Sequence, residues 1–399
     1  MKESRGNRLH IAVLGKMNVG KSSVINAIFG REISIVSDYA GTTTDVNQKA
    51  IELLPIGPVS IMDTAGLDDK GELGEKRVEK TMQTLDRADV AIVVFDNNGV
   101  KKCDEELFEE LKKRKIPILS IINKIDINYP LQCDIETIKN YSDNTIELST
   151  KEEKNITSKV KQALISILTD EQINSPSLLK GIIQKNDNII LVIPIDKEAP
   201  KGRIILPQVQ TIRDILDNNA ISTICSVENL KQTIENLKTR PRLVITDSQA
   251  FREVDKIVDN AIPLTSFSIL FAKLKGDLKT FENGANALDG LNNGDKILIC
   301  ESCSHHPVED DIGRVKIPNL IKKYTNKDIA FEHASGHIFP KDIEKYSLIV
   351  HCGACMTNRR EVLSRIEKAN SKGIPISNYG IIIAKCLGIL DRTLEPFKS

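Results

Sequence analysis

Neither sign of charge is in excess: 55 Lys and Arg balance 55 Asp and Glu over 399 residues. No chain-wide basic field therefore exists to draw in nucleic acid or an anionic membrane. No run of 18 apolar residues occurs, which excludes an ordinary membrane-spanning helix. The opening MKESRGNRLHIAVLG is charged and passes into a strand without the apolar stretch of a secretory signal, so a cytoplasmic location is expected. Internal repeats and low-complexity tracts are also absent. Hydrophobic content of 40% and charged content of 28% are those of a soluble globular protein. The length exceeds one ordinary core and predicts three domains. Eight cysteines in a reducing compartment point away from disulfides, and where they cluster they become candidate metal ligands.

From residue 10 to 168, β-rich runs alternate with helical patterns: HIAVLG before KSSVINAIFG, VSIMDT before GELGEKRVEKTMQTLDRA, then DVAIVVFD, PILSIINK and TIELST. That alternation predicts a doubly wound parallel sheet. The polar DEQINSPS, Asp170 to Ser177, reads as a linker. NIILVIPID, RIILP, the helical VQTIRDILDNNA, ISTICS, VENLKQTIENLKT and RLVITDS then make a smaller α/β unit. A third block follows Phe267, where KILIC, DIAFEHASG, SLIVHCGAC and PISNYG each read as a strand entering a loop. The expected fold class is α/β: a P-loop sheet over 1–170, then two smaller α/β domains over 178–265 and 266–399.

Gly15-Lys16-Met17-Asn18-Val19-Gly20-Lys21-Ser22 fits a phosphate-binding loop between a strand and a helix. Backbone N–H groups from Gly15 through Ser23 can face phosphates, Lys21 reaches the β and γ oxygens, and Ser22 ligates magnesium. Within Gly41-Thr42-Thr43-Thr44-Asp45, Thr43 is the candidate switch ligand for magnesium. In Asp63-Thr64-Ala65-Gly66, Asp63 can hold magnesium through water while the Gly66 N–H senses the γ-phosphate. Asn123-Lys124-Ile125-Asp126 places a carboxylate where it accepts from guanine N1–H and the 2-amino group, which adenine cannot satisfy. Ser149 and Thr150 would complete the base pocket. Leu67 stands where Ras-like enzymes carry a water-orienting glutamine, so slow or differently assisted hydrolysis is expected. Asn18 with GTTTD resembles the TrmE-Era group of GTPases, and the resemblance implies a potassium ion at Asn18.

Cys303-Ser304-His305-His306 follows KILIC, and His351-Cys352-Gly353-Ala354-Cys355 follows SLIV. Strand ends of one sheet converge, so Cys303, Cys352 and Cys355 can present thiolates to one centre. Two metals fit. Zinc would want four ligands, with Cys300 as the fourth, although the two pairs lie farther apart than in ordinary fingers. An iron-sulfur cluster would take the three cysteines and a weak fourth ligand such as His305. Cys300 reads equally as a small buried hydrophobe. His333 and His337 read as structural or supporting histidines.

A P-loop GTPase containing DTAGLDDKGELGEKR, a middle α/β unit, then CSHHP and HCGACM resemble the HydF family of FeFe-hydrogenase maturation GTPases over nearly the whole chain. The family's C-x-H and H-C-x-x-C pattern falls on Cys303, His305, His351, Cys352 and Cys355. The resemblance implies a GTPase domain, a dimerisation domain and a C-terminal domain with a 4Fe-4S cluster. It also implies a homodimer or tetramer that carries a two-iron H-cluster precursor to the apo-hydrogenase, with two radical-SAM maturases as further partners. A different class of protein, a TrmE-Era-type potassium-stimulated GTPase with a structural zinc module acting in RNA modification or ribosome assembly, shares the first half. The balanced charge and the lack of a KH-type GxxG segment weigh against it.

Overall fold

The computed structural model describes residues 5–29, 47–64, 72–151, 155–173, 177–195, 202, 204–302, 311–337 and 339–398. The chain divides into two compact units, Met1–Ser175 and Pro176–Ser399.

The first unit holds β1 (Leu9–Leu14), β2 (Asn47–Leu53), β3 (Gly57–Asp63), β4 (Val90–Phe95), β5 (Ile118–Ile122) and β6 (Asn144–Glu147) in the order β2-β3-β1-β4-β5-β6. All neighbours are parallel except β2, which pairs antiparallel with β3. The apolar runs have no polar alternation because both sheet faces are covered. Ile11 and Val13 enter one core, while Ala12 and Leu14 enter the other. Chain crossings leave β1 toward β3 on one side and β4 on the other, and at such a reversal the strand's carboxyl end opens into a crevice. The edge strand β2, NQKAIEL, was not among the expected strands.

The second unit holds two sheets. In one, β7 (Asn188–Val192), β8 (Ile221–Cys225), β9 (Leu243–Thr246) and β10 (Leu264–Ser266) run parallel in the order β10-β9-β7-β8. RIILP supplies no described strand. Its Leu206 and Pro207 open the helix Leu206–Asp217, where proline lacks only an N–H that would be unbonded anyway. In the other sheet, β11 (Lys296–Glu301), β12 (Ala330–Ser335), β13 (Leu348–His351) and β14 (Ile376–Asn378) run parallel in the order β12-β11-β13-β14. All four strands of this sheet match the expected segments. One apolar cluster joins Ile190 and Val244 of the first sheet to Ile297, Ile299 and Val350 of the second. Among the described residues no helix is long and apolar enough to cross a membrane.

Candidate functional site

The loop after β1 is shaped by two positions that only glycine fills comfortably. Gly15 has φ +140° and Gly20 φ +99°, and a Cβ there would run into the Val94 carbonyl and the Asn123 amide respectively. Asn18 also sits in the left-handed region, at φ +61°. The helix Lys21–Phe29 then starts with Ser22 and Ser23 exposed at its open N-terminus. Lys21 folds back, its Nζ donating to the carbonyls of Gly15 at 2.9 Å and Lys16 at 2.7 Å. An arriving phosphate can take the ammonium over from these acceptors.

Two residues join the base-reading segment to this loop. Asn123, buried after β5, donates from Nδ2 to the Val19 carbonyl at 3.1 Å and accepts the Thr150 N–H at 3.3 Å. Lys124, at φ +63°, donates to the Asn18 carbonyl and lies 3.5 Å from Asp96. Ser149 is buried and its Oγ accepts the Lys151 N–H at 3.3 Å. Asp126 stays exposed, open to a base. Of the magnesium-side candidates, Asp63 ends β3, whereas Thr43 and Gly66 lie outside the described residues.

Burial pushes the Asp63 carboxyl above the usual range, with Lys21 and then Lys49 opposing that shift. A carboxyl raised on folding penalises the native state once pH passes from its unfolded toward its folded value. Asp63→Asn should therefore raise the melting temperature of the nucleotide-free protein at neutral pH while magnesium-dependent hydrolysis collapses. Calorimetry beside a phosphate-release assay checks both, and a lower melting temperature would contradict the buried-charge account.

Sequence reasoning missed one member of this site. Lys16 is buried, its Nζ donating to the Gly99 carbonyl at 2.7 Å and lying 3.1 Å from Asp104. Asp104 in turn accepts the Lys101 N–H at 2.8 Å, so the pair ties the phosphate loop to the start of the helix Lys102–Lys113. Nothing in the local spacing marks a pair 88 positions apart.

The second unit brings its cysteine segments to one sheet end. β11 and β13 are neighbours with Cys300 opposite His351, and the Cys352 N–H donates to the Cys300 carbonyl at 2.9 Å. β12 lies on the far side of β11, so the crossings reverse there and the carboxyl ends of β11 and β13 flank a crevice. Cys352 is buried, with the Ser302 N–H 3.2 Å from its Sγ, and Cys355 is half-buried. None of the described cysteines is in a disulfide. Cys303 and His305 lie outside the described residues, and among the described ones no three His, Cys, Asp or Glu gather as a metal set.

The neighbours of Cys352 separate ligands from supports. His351 places Nδ1 2.8 Å from the Cys352 carbonyl and Nε2 2.9 Å from Nη1 of the buried Arg365. A carbonyl and a guanidinium fix the tautomer: Nδ1 donates and Nε2 accepts, so both ring nitrogens are engaged. Arg365 also donates to the Gly336 carbonyl at 2.7 Å and to Glu361 at 2.6 Å, and Glu361 meets His337 Nδ1 at 2.9 Å. His351 and His337 thus act as supports. Cys300 is fully buried, its thiol pushed up to about 12 by burial, which favours the small-hydrophobe option over ligation. The soft donors Cys352 and Cys355, with an N–H on the first sulfur, suit a thiolate-bound metal centre and not a hard oxygen-liganded cation.

Comparison with known proteins decides the family. Residues 178–276 match the hydrogen maturase F dimerization domain and residues 279–396 the hydrogen maturase F tetramerization domain, together more than half of the chain. The chain belongs to the hydrogen maturase F family. Residues 10–124 match the 50S ribosome-binding GTPase model, so the chain carries a GTPase domain. The tRNA modification GTPase MnmE of Aliarcobacter butzleri is 38% identical over 154 residues, 36% of this chain and 32% of that protein. GTPase Der of a Nitratiruptor species is 37% identical over 131 residues, 32% of this chain and 28% of that protein. The chain spans about a third of the length of these curated relatives. Among solved structures, Aquifex aeolicus Era bound to GDP and AlF4- gives a TM-score of 0.34 at 23% identity, covering 54% of this chain and 92% of that one.

Proposed function

We propose that this chain is a GTP-gated carrier, in which the first unit binds and hydrolyses GTP with magnesium and the last part of the chain holds an iron-sulfur centre. The observation that carries the second half is the adjacency of β11 and β13 at a reversal of the sheet order, which supports convergence of Cys303 with Cys352 and Cys355. A 4Fe-4S cluster there, with His305 as the candidate fourth ligand, would supply an iron corner able to exchange ligands. The cargo is a two-iron hydrogenase precursor, its partners two radical-SAM maturases and the apo-hydrogenase catalytic subunit. The likeness to MnmE covers only the GTPase part, so tRNA modification does not come with it.

Nucleotide would act on the loops around Thr43 and Gly66 and through them on partner contacts, making hydrolysis a gate on delivery. A hydrolysis-deficient Lys21→Ala chain, loaded with precursor, should bind the hydrogenase without nucleotide dependence and activate it poorly. Normal activation by that variant would remove the gate. The exposed Asn18 side chain supports a potassium site beside the phosphates. GTP turnover is then expected to run several-fold faster in potassium than in sodium at equal ionic strength, and equal rates would end the potassium assignment.

The three-domain division is kept as 1–170, 178–265 and 266–399, each block built around one sheet, with the last residue of β10, Ser266, falling just past the second boundary. For the middle block, β8 offers a pairing edge. It has no strand beyond it among the described residues, and it exposes Ile221 at 49% and Ile224 at 48%. An open, apolar strand edge pairs readily with a second copy about a two-fold axis. Ile224→Lys should convert dimers to monomers in analytical ultracentrifugation. An unchanged sedimentation coefficient would place the dimer contact elsewhere.

A further inference from the structure

Beneath the Cys352 to Cys355 loop lies a buried lysine without a role in the nucleotide or carrier chemistry above. Lys275 ends the helix Phe267–Lys275 and is 3% exposed. Its ammonium donates to the carbonyls of Thr357 at 2.6 Å and Ala354 at 2.8 Å, with the Cys355 carbonyl at 3.4 Å. Ala354 and Cys355 belong to the cysteine loop, and Thr357 follows it by two positions. Ala354 itself is held at φ +54°, a left-handed conformation that a non-glycine residue keeps only when its surroundings impose it. The carboxylate felt at Lys275, Glu361, is already engaged at 2.6 Å by Arg365 and at 2.9 Å by His337. A buried ammonium held by neutral carbonyls, with the Phe271 ring 5.4 Å from it, is incompletely compensated, and the loop it grips carries Cys352 and Cys355.

We propose that Lys275 is the resident counter-cation of the thiolate-bound metal centre: it clamps the Cys352 to Cys355 loop by its carbonyls and offsets the negative charge that metal ligation places on both sulfurs. The role rests on the metal-centre assignment made above. It is a positioning and electrostatic role, exerted through the loop and not by contact with cargo. A neutral side chain at 275 removes one positive charge beside the reduced centre, which carries one more negative charge, so reduction becomes harder.

The test separates charge from clamp. Lys275→Gln keeps an N–H donor and drops the charge, and Lys275→Arg keeps the charge. Lys273→Met is the control, because Lys273 lies on the same helix but donates to the Lys180 carbonyl at 3.0 Å. The full-length chains are reconstituted anaerobically with iron and sulfide, and the midpoint potential is read by paramagnetic resonance in a mediated titration. The metal-free chains are titrated with Co2+ and followed by thiolate-to-cobalt absorbance. Lys275→Gln should move the potential negative and weaken cobalt binding about tenfold, while Lys275→Arg and Lys273→Met stay near wild type. If Lys275→Gln does not fold, Lys275→Met, matched in length and apolar, carries the same comparison. A neutral variant with wild-type potential and cobalt affinity overturns the proposal. A wild-type chain that takes up neither iron nor cobalt removes the metal centre itself, and the role of Lys275 with it.

Discussion

Asp126→Asn should lose GTP and gain xanthosine triphosphate. Guanine turns two donors, N1–H and the 2-amino group, toward this position, and a carboxylate accepts both. Xanthine turns one donor and one carbonyl, which a carboxamide matches with one acceptor and one donor. Two charge-assisted hydrogen bonds contribute about 1.5–3 kcal/mol each, so GTP affinity should fall on the order of 10²- to 10⁴-fold. The exposed setting of Asp126 leaves the fold indifferent to the exchange, and neighbouring Asn123 and Lys124 keep the segment fixed to the phosphate loop. Fluorescent-nucleotide titration with both bases is the measurement. GTP binding that survives the exchange would show that Asp126 does not read the base.

Cys352→Ala is expected to have the opposite profile, abolishing iron uptake while GTP turnover stays at the wild-type rate. Cys352 belongs to the second compact unit, whereas every described nucleotide-site residue lies before Ser175. The exchange also strips the Ser302 N–H of its sulfur partner in a buried place, at a cost of about 1–3 kcal/mol. A lowered melting temperature should therefore accompany the loss of iron. Iron analysis, GTP turnover and calorimetry on one preparation check all three. Full iron content in this variant would take Cys352 out of the ligand set.

The residues that sequence reasoning found and those it missed differ in the range of the interactions that define them. The phosphate loop and the Asn123 to Asp126 segment are legible because strand, turn and helix chemistry are contiguous there. The strands ending near the cysteines are legible as short apolar runs. β2 escaped because an antiparallel edge strand alternates apolar and polar residues and NQKAIEL carries few apolar ones. β10 escaped because three residues carry no period. The role of His351 depends on Arg365, 14 positions away on another element. Lys16 and Lys275 look like any other lysine until tertiary packing buries them against Asp104 and the cysteine loop. Local motifs thus announce chemistry, while buried charge pairs become visible only in the folded chain.

The most direct test of the carrier assignment is an anaerobic spectrum of the full-length chain after iron-sulfide reconstitution and dithionite reduction, with iron and zinc counted on the same sample. The account predicts a brown protein with four irons per chain, a reduced 4Fe-4S resonance and no stoichiometric zinc. A colourless protein holding one zinc per chain would contradict it, leaving a GTPase with a structural metal module.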